Sequence, residues 1–262
     1  MAGPKLEVRN VSKTFRGPTG APMPVVEDLS LAVAPLEFVA LLGPSGCGKS
    51  TLLRIIDGLI AADAGTVWLD GEDVTGTPGR GRGMVFQTFD LLPWRTALEN
   101  VEFGLEVQGL AKAERRRLAQ AYVELVGLAG FEHAYPYQLS GGMQQRIGIA
   151  RAFAIRPEVL LMDEPFGALD VQTRDIMQDE LLQIWDREQK TVLFVTHGIE
   201  EALYLADRII VFSPRPARIV REFTVPFGRP RLEALKTDAG FQALRRDIWE
   251  ILKQSTRPKG AA

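Results

Sequence analysis

Long apolar runs are absent from this chain of 262 residues. The longest runs, such as Phe38–Leu42, have 5 residues, whereas a membrane-spanning helix needs about 20. The first residues, MAGPKLEVRN, also lack the apolar stretch of a secretory signal peptide. We therefore expect a chain that reaches a membrane only by binding a partner that lies in it.

Cysteine and excess charge are also scarce. Cys47 is the only cysteine, so no internal disulfide can form, which fits a reducing compartment. Lysine and arginine number 31 against 33 acidic residues, a net charge of −2. This balance provides no overall field that attracts nucleic acid, so we expect no nucleic-acid partner.

What the chain does contain is a series of apolar strands separated by helices. Fully buried strands are predicted where apolar residues run without polar alternation, at Phe38–Leu42, Val159–Met162, Thr191–Val195 and Ile209–Phe212. Helices are predicted where apolar residues recur at helical spacing, over Ser50–Asp57, Val171–Gln189 and Ile199–Asp207. This alternation favours a parallel sheet.

Other segments depart from this alternation. Leu6 and Val8 alternate with polar residues and predict a half-exposed strand, and Gly17–Pro24 predicts a turn. From about Thr96 to Leu128 only helical spacing is found, which predicts a helical insertion. A further helix is predicted around Met143–Ala154, and one helical stripe lies in the short tail after Pro226.

The first buried strand leads into a phosphate-loop pattern, G-x-x-x-x-G-K-[ST]. Its residues are Gly43, Pro44, Ser45, Gly46, Cys47, Gly48, Lys49 and Ser50, followed by Thr51. Glycine lets such a loop turn its N–H groups inward toward phosphate oxygens, and the following helix directs its positive dipole end there. Lys49 adds a positive charge for the β- and γ-phosphates, and the Ser50 hydroxyl is a hard oxygen ligand suited to Mg²⁺.

Two other interpretations of this loop are possible from the sequence. The pattern could form a glycine-rich turn that binds nothing, although the preceding strand and following helix are the context that a phosphate loop requires. Cys47 at a helix N-terminus could be a reactive thiol. We favour a small side chain packed beneath the loop.

Polar residues follow three of the predicted strands. Asp163 and Glu164 end one strand and point in different directions, so Asp163 is predicted to hold Mg²⁺ and Glu164 to polarise the attacking water. His197 follows another strand and is assigned to the γ-phosphate as a hydrogen-bond donor. Gln87 follows Val85-Phe86 and could ligate Mg²⁺ or orient water.

A second turn rich in serine and glycine precedes the helix around Met143–Ala154. Its backbone N–H groups and the Ser140 hydroxyl would form another anion site. Two phosphate-binding turns in one chain are explained if two copies pack head to tail, so that each ATP contacts both. The sequence therefore predicts a homodimer that encloses ATP.

These motifs together closely resemble the ATP-binding cassette family, over roughly Leu6 to Thr224. The resemblance implies an α/β phosphate-loop NTPase fold with a mostly parallel core sheet, an N-terminal antiparallel β portion and an inserted helical subdomain. It implies a single domain over residues 1–225, with the helical subdomain at about 90–157, and a short helical tail over 226–262.

The resemblance also assigns roles to individual residues. It implies that Phe15 stacks on adenine, that Gln87 is the glutamine lid and that Asp163 is the magnesium aspartate. Glu164 and His197 resemble the catalytic glutamate and the switch histidine, which act together with Lys49. The signature is matched by Leu139 to Gln144, with nucleotide contacts expected from Ser140, Gly141, Gly142 and Gln144. Asp170 falls in the loop that contacts the second subunit.

Three further segments resemble the bacterial nitrate, sulfonate and taurine importer ATPases. They are Leu91-Leu92-Pro93-Trp94, Ser213-Pro214-Arg215-Pro216 and Leu244–Trp249. This resemblance implies a separate membrane permease, a periplasmic solute-binding protein and a position on the cytoplasmic face of the inner membrane. A cassette that serves an exporter, lipid transport, DNA or ribosomes stays an alternative, as does a small-molecule kinase.

Overall fold

A computed structural model describes residues 3–88 and 90–256 of the chain. The strands are β1 Leu6–Arg16, β2 Pro22–Val33, β3 Phe38–Leu42, β4 Ala64–Leu69, β5 Glu72–Asp73, β6 Arg82–Val85, β7 Val159–Asp163, β8 Thr191–Thr196, β9 Arg208–Phe212 and β10 Ile219–Thr224. The helices are α1 Lys49–Ile56, α2 Ala97–Val107, α3 Lys112–Leu125, α4 Gly141–Ala154, α5 Val171–Glu188, α6 Ile199–Leu205 and α7 Ala239–Thr256.

The chain folds into two compact units. The first contains the described residues up to Arg80 together with those from Thr191 onward, and the second spans Gly81–Lys190. The helical insertion predicted from the sequence lies in the second unit, as α2 and α3. Within the described residues, 3–88 and 90–256, no helix is long and apolar enough to cross a membrane.

An antiparallel sheet forms one part of the first unit. Its strand order is β2-β1-β4-β5, with Leu6 opposite Val33 on one side and opposite Leu69 on the other. Leu6 and Val8 are buried while Glu7 between them is partly exposed, which is the alternation expected of a sheet with one solvated face. The expected N-terminal antiparallel portion is therefore present.

A parallel group of strands forms the other part of the first unit. β3 pairs in parallel with β8 on one side and with β9 on the other, and β10 adds an antiparallel edge. Every residue of β3 and of β8 is buried, as their unbroken apolar sequences predict. The carboxyl ends of these strands consequently lie at one edge of the sheet.

The second unit carries its own parallel pair and four helices. β6 and β7 run in parallel with Val85 opposite Met162. Thr96 and Glu99 form a reciprocal capping box that begins α2. Asn100 is buried and fixes the preceding loop through bonds to the carbonyl oxygens of neighbouring residues.

Several elements of secondary structure differ from those predicted. Pro22–Pro24, placed in a turn, begins β2 because proline is compatible with an extended strand at the sheet edge. β10 was not predicted, because its residues are largely exposed and carry no apolar run. α6 ends at Leu205 rather than Asp207, since Asp207 accepts a hydrogen bond from the backbone N–H of Phe38.

Within the first unit, a buried arginine of the tail is bonded to the end of α6. The Arg231 guanidinium donates to the carbonyl oxygens of Leu203, Tyr204 and Ala206 at 3.3, 3.0 and 2.7 Å. These are the carbonyls that a helix end leaves without intrahelical partners. Burial lowers the pKa of Arg231 to about 10, so the side chain stays charged at neutral pH and holds the end of α6.

Replacing this arginine tests the attachment. Arg231→Met keeps the apolar stem but leaves several buried carbonyls without a charged donor, so we expect the free energy of unfolding to fall by about 2–4 kcal/mol. The control is Arg246→Met, because Arg246 is exposed on α7 and its side chain forms no bond to the rest of the described chain. Urea denaturation of both variants measures the difference, and equal stability would show that Arg231 does not hold the tail.

Candidate functional site

The phosphate-loop sequence joins the central strand β3 to helix α1 in the first unit. α1 begins at Lys49, and its N-cap residue, Gly48, makes no side-chain cap hydrogen bond. The N–H groups of the first helical turn therefore face the loop and are available to an anion. Ser50 and Thr51 lie in this turn and are partly exposed.

Two glycines of the loop have conformations that other residues adopt poorly. Gly48 has φ 124° and Gly46 has φ 73°. A Cβ atom on Gly48 would lie 2.6 Å from the carbonyl oxygen of Val25, closer than real Cβ contacts. The loop can therefore turn this tightly against β2 only with glycine at position 48.

Lys49 and Cys47 fill the base of the loop. The Lys49 ammonium donates to the carbonyl oxygens of Gly43 and Pro44 at 2.7 and 3.1 Å. The Cys47 sulfur lies 3.8 Å from the same ammonium, and the thiol is 1% exposed. A reactive cysteine needs access to solvent, so the burial of Cys47 supports its interpretation as a packing residue.

Strand register brings His197 next to this loop. Leu42 of β3 is paired with Thr196 of β8. Gly43 and His197 directly follow these two paired residues, so they leave adjacent parallel strands side by side. The Thr196 hydroxyl contacts the Glu201 carboxylate and accepts a hydrogen bond from the N–H of Gly198 at 2.9 Å. These contacts fix the turn that carries His197 at the strand edge.

Phe15 lies near the end of β1, in the first unit. It is partly buried, and it is paired with Met23 of β2 across the antiparallel sheet. The Lys13 ammonium lies 5.5 Å from the centre of its ring, a cation–π contact. One face of an aromatic ring at a sheet end is suited to stacking on a planar base.

The predicted carboxylates lie in the second unit, at the end of β7. Asp163 is 1% exposed, and Glu164 follows with φ 44°. A left-handed conformation at a non-glycine residue is uncommon and is found at functional sites. The backbone therefore leaves the extended conformation of the strand at Glu164.

Gln87 lies beside this turn. Gln87 and Glu164 each follow the paired residues Val85 and Met162 by two positions. A Cβ atom on Gly167 would lie 3.8 Å from the Gln87 amide nitrogen and 3.8 Å from the Glu164 Cβ. The second unit therefore brings the predicted glutamine and the predicted general base to the same edge of its parallel pair.

The serine-glycine turn begins α4 in the second unit. Ser140 is the N-cap, and its hydroxyl accepts a hydrogen bond from the N–H of Met143 at 3.3 Å. The Gln144 amide donates to the carbonyl oxygens of Pro136 and Leu139 at 3.0 and 3.1 Å. Gln144 therefore stabilises the turn before the helix, a contact that the sequence motif did not predict. Gly141 and Gly142 form the first residues of the helix.

Asp170 lies next to this turn and begins α5. It accepts a hydrogen bond from the N–H of Thr173 at 3.1 Å, and a Cβ atom on Gly142 would lie 3.1 Å from the Thr173 methyl group. Hydrogen bonds from the side chain and backbone of Thr173 lower the pKa of Asp170, so this exposed side chain is anionic at neutral pH. The signature turn and the Asp170 turn therefore form one surface of the second unit.

A phosphate loop on a parallel sheet, with carboxylates at a parallel strand end, defines a nucleotide hydrolase of the phosphate-loop class. The model of the ABC transporter family matches residues 26–167, more than half of the chain. The chain therefore belongs to the ABC transporter family and is an ATP-binding cassette, an ATPase whose family couples ATP hydrolysis to transport.

Several relatives match nearly the whole chain. An uncharacterized ABC transporter ATP-binding protein of Methanocaldococcus jannaschii is 52% identical over 95% of this chain and 91% of its own length. The taurine import ATP-binding protein TauB of Yersinia pestis is 49% identical over 86% of this chain and 90% of its own. The nitrate import ATP-binding protein NrtD of Synechocystis sp. is 49% identical over 84% and 82%, respectively.

Solved structures give the same fold. A dimeric ATP-binding cassette in a post-hydrolysis state, bound to ADP and phosphate, superposes with a TM-score of 0.74 at 34% identity. It covers 85% of this chain, and all of that chain is covered. The α/β phosphate-loop NTPase fold with parallel strands, predicted from the resemblance, is confirmed.

The close approach at Gly48 leads to a testable prediction. Gly48→Ala introduces both left-handed strain and a clash with Val25, so we expect the loop to shift and ATP affinity to fall more than tenfold. Gly71→Ala is the matched control, because Gly71 has φ 78° but no atom within 4 Å of its Cβ position. Calorimetric titration with ATP measures both. Similar affinities in the two variants would contradict the steric argument.

Proposed function

We propose that this chain is the ATP-hydrolysing subunit of a bacterial importer for a small solute of the nitrate, sulfonate or taurine type. The observation that carries the proposal is the 49% identity to the taurine and nitrate import ATP-binding proteins over 86% and 84% of the chain. The three segments noted in the sequence, around Trp94, Arg215 and Trp249, support the same subfamily.

The phosphate loop would bind the triphosphate through backbone N–H groups and Lys49. Phe15 would stack on adenine, and Mg²⁺ would be held by Ser50, Gln87 and Asp163. These three supply hydroxyl, amide and carboxylate oxygens, the hard donors that Mg²⁺ takes, so the donor set fits the ion. Mg²⁺, when bound, neutralises charge on the phosphate oxygens.

Glu164 is proposed as the general base and His197 as the donor to the γ-phosphate. A carboxylate can accept a proton from water as the water attacks phosphorus, and a neutral imidazole N–H can hydrogen bond a phosphate oxygen. The left-handed turn at Glu164 supports the first assignment. The register that adjoins His197 to the phosphate loop supports the second.

Removing the charge of Glu164 tests its role. Glu164→Gln keeps the size and hydrogen-bonding capacity of the side chain, so ATP binding should survive. The amide cannot accept a proton from the attacking water. We expect turnover to fall at least a hundredfold, and a nucleotide-bound dimer to accumulate. The control is Glu114→Gln, an exposed change of the same type in the first turn of α3. Release of phosphate, and size-exclusion chromatography with ATP, measure the two effects.

The outcome distinguishes catalysis from folding. Parental turnover in Glu164→Gln would show that another group is the base. Loss of ATP binding together with turnover would show that the residue acts on the structure of the site rather than on water.

We propose further that two copies enclose ATP head to tail. Each nucleotide would lie between the phosphate loop of one copy and the turn from Ser140 to Gly142 of the other, with Asp170 in the contact between copies. A similar cassette has been solved as a dimer in two structures, which supports this arrangement. ATP would close the dimer and hydrolysis would reopen it.

Mixing two inactive variants tests the shared site. Ser140→Arg introduces a large cation into the signature turn, and Lys49→Ala removes the phosphate-loop charge, so each alone should lose turnover. A mixed dimer holds one intact pair, the loop of the first variant and the turn of the second. We therefore expect turnover to return on mixing, with a maximum near equal amounts.

The isolated Ser140→Arg chain should still bind ATP with the affinity of the unaltered chain. Loss of that affinity, or no recovery on mixing, would contradict a site shared between two copies.

The partner that converts this cycle into transport is proposed to be a membrane permease. Trp94 is 71% exposed in the second unit, and it lies in the Gln87–Trp94 segment that resembles the permease-docking segment of the family. Docking there would hold the chain at the cytoplasmic face of the inner membrane. A periplasmic binding protein would deliver the solute to the permease.

A further inference from the structure

The three glycines of the phosphate loop each approach one residue of a single segment, 212–217, in the first unit. A Cβ atom on Gly43 would lie 3.1 Å from the Cβ of Phe212, and one on Gly48 would lie 3.2 Å from the Cβ of Ala217. A Cβ atom on Gly46 would lie 3.6 Å from a guanidinium nitrogen of Arg215. We call this segment, Phe212 to Ala217, the loop support.

The loop support is held in place by its own hydrogen bonds. The Ser213 hydroxyl lies 2.9 Å from the carbonyl oxygens of Pro214 and Pro216, and it accepts from the N–H of Arg218 at 3.1 Å. The N–H of Ala217 donates to the carbonyl of Val25 at 2.8 Å. This is the carbonyl that excludes a side chain at Gly48, so the support and the phosphate loop share one anchor on β2.

Arg215 is the only member of the loop support with a charged side chain. Its Nε donates to the carbonyl oxygen of Gly46 at 3.2 Å, and its Nη1 lies 2.7 Å from the sulfur of Met23. No carboxylate in residues 3–88 or 90–256 forms an ion pair with it. Met23 is paired with Phe15, so Arg215 connects the phosphate loop to the strand pair that carries the aromatic ring.

The contact with Gly46 acts on a peptide unit at the apex of the loop. The carbonyl of Gly46 and the N–H of Cys47 belong to one peptide unit, and that N–H is 3.3 Å from the carbonyl of Pro44. A cationic donor on the carbonyl polarises the peptide and fixes its orientation. A phosphate loop binds through N–H groups, so fixing the outward carbonyls preorganises the inward donors.

We propose that Arg215 is a positioning residue for nucleotide binding, which holds the apex of the phosphate loop and sets its place relative to Phe15. This inference rests on the proposed binding of ATP by that loop. Arg215 acts through the Gly46 peptide and does not touch the reacting atoms. It therefore affects the affinity for nucleotide and leaves the chemical step unchanged.

The test compares Arg215→Met with Arg218→Met in the full chain. Arg218 lies just beyond the loop support and pairs with Glu27 at 2.8 Å, so its loss removes the same charge without freeing Gly46. We expect Arg215→Met to raise KM for ATP, and Kd for a fluorescent ATP and a fluorescent ADP, by about three- to tenfold. We expect kcat to change less than twofold, and Arg218→Met to match the unaltered chain.

Two further measurements separate positioning from charge and from folding. Arg215→Lys should recover only part of the affinity, because a lysine lacks the fork that reaches both Gly46 and Met23. Amide hydrogen exchange should quicken at Gly46–Lys49 in Arg215→Met, with an unchanged urea midpoint. Full recovery by lysine, unchanged KM in Arg215→Met, or equal loss in Arg218→Met would each overturn the proposal.

The unaltered chain and Lys49→Ala distinguish this inference from the function on which it rests. If the unaltered chain binds ATP and Lys49→Ala does not, a normal KM in Arg215→Met refutes only the role of Arg215. If the unaltered chain binds no ATP, the proposed function fails and the role of Arg215 fails with it.

Discussion

The close approach of the phosphate loop to β2 is the constraint on which the rest of the site depends. The carbonyl of Val25 occupies the space that a side chain at Gly48 would need, 2.6 Å from the Cβ position. Glycine there lets α1 begin directly after the turn, with Lys49 as its first residue. The same contact fixes the direction of the helix dipole and of the N–H groups that bind an anion.

Parallel strand ends then determine which chemistry each unit supplies. In the first unit, pairing of β3 with β8 places the phosphate loop and His197 at adjacent strand ends. In the second, pairing of β6 with β7 does the same for Gln87 and Glu164. Functional groups at the carboxyl ends of neighbouring parallel strands lie close together because the strand register aligns those ends.

Much of this could be predicted from the sequence, and the misses have physical causes. The buried strands were predicted because they carry unbroken apolar runs, and the phosphate loop because its glycines and lysine have fixed spacing. Exposed β10 has neither property. The tail attachment by Arg231 and the contact of Arg215 with Gly46 arise from residues far apart in sequence, which no local pattern reveals. The left-handed turn at Glu164 likewise depends on tertiary context.

The most direct test of the account is a crystal structure of the chain with a non-hydrolysable ATP analogue and Mg²⁺. The account predicts that the Lys49 ammonium leaves the carbonyls of Gly43 and Pro44 for the β- and γ-phosphates. It also predicts that Ser140 of a second copy contacts the same γ-phosphate. A triphosphate bound away from Gly43–Thr51, or enclosed by one copy alone, would contradict it.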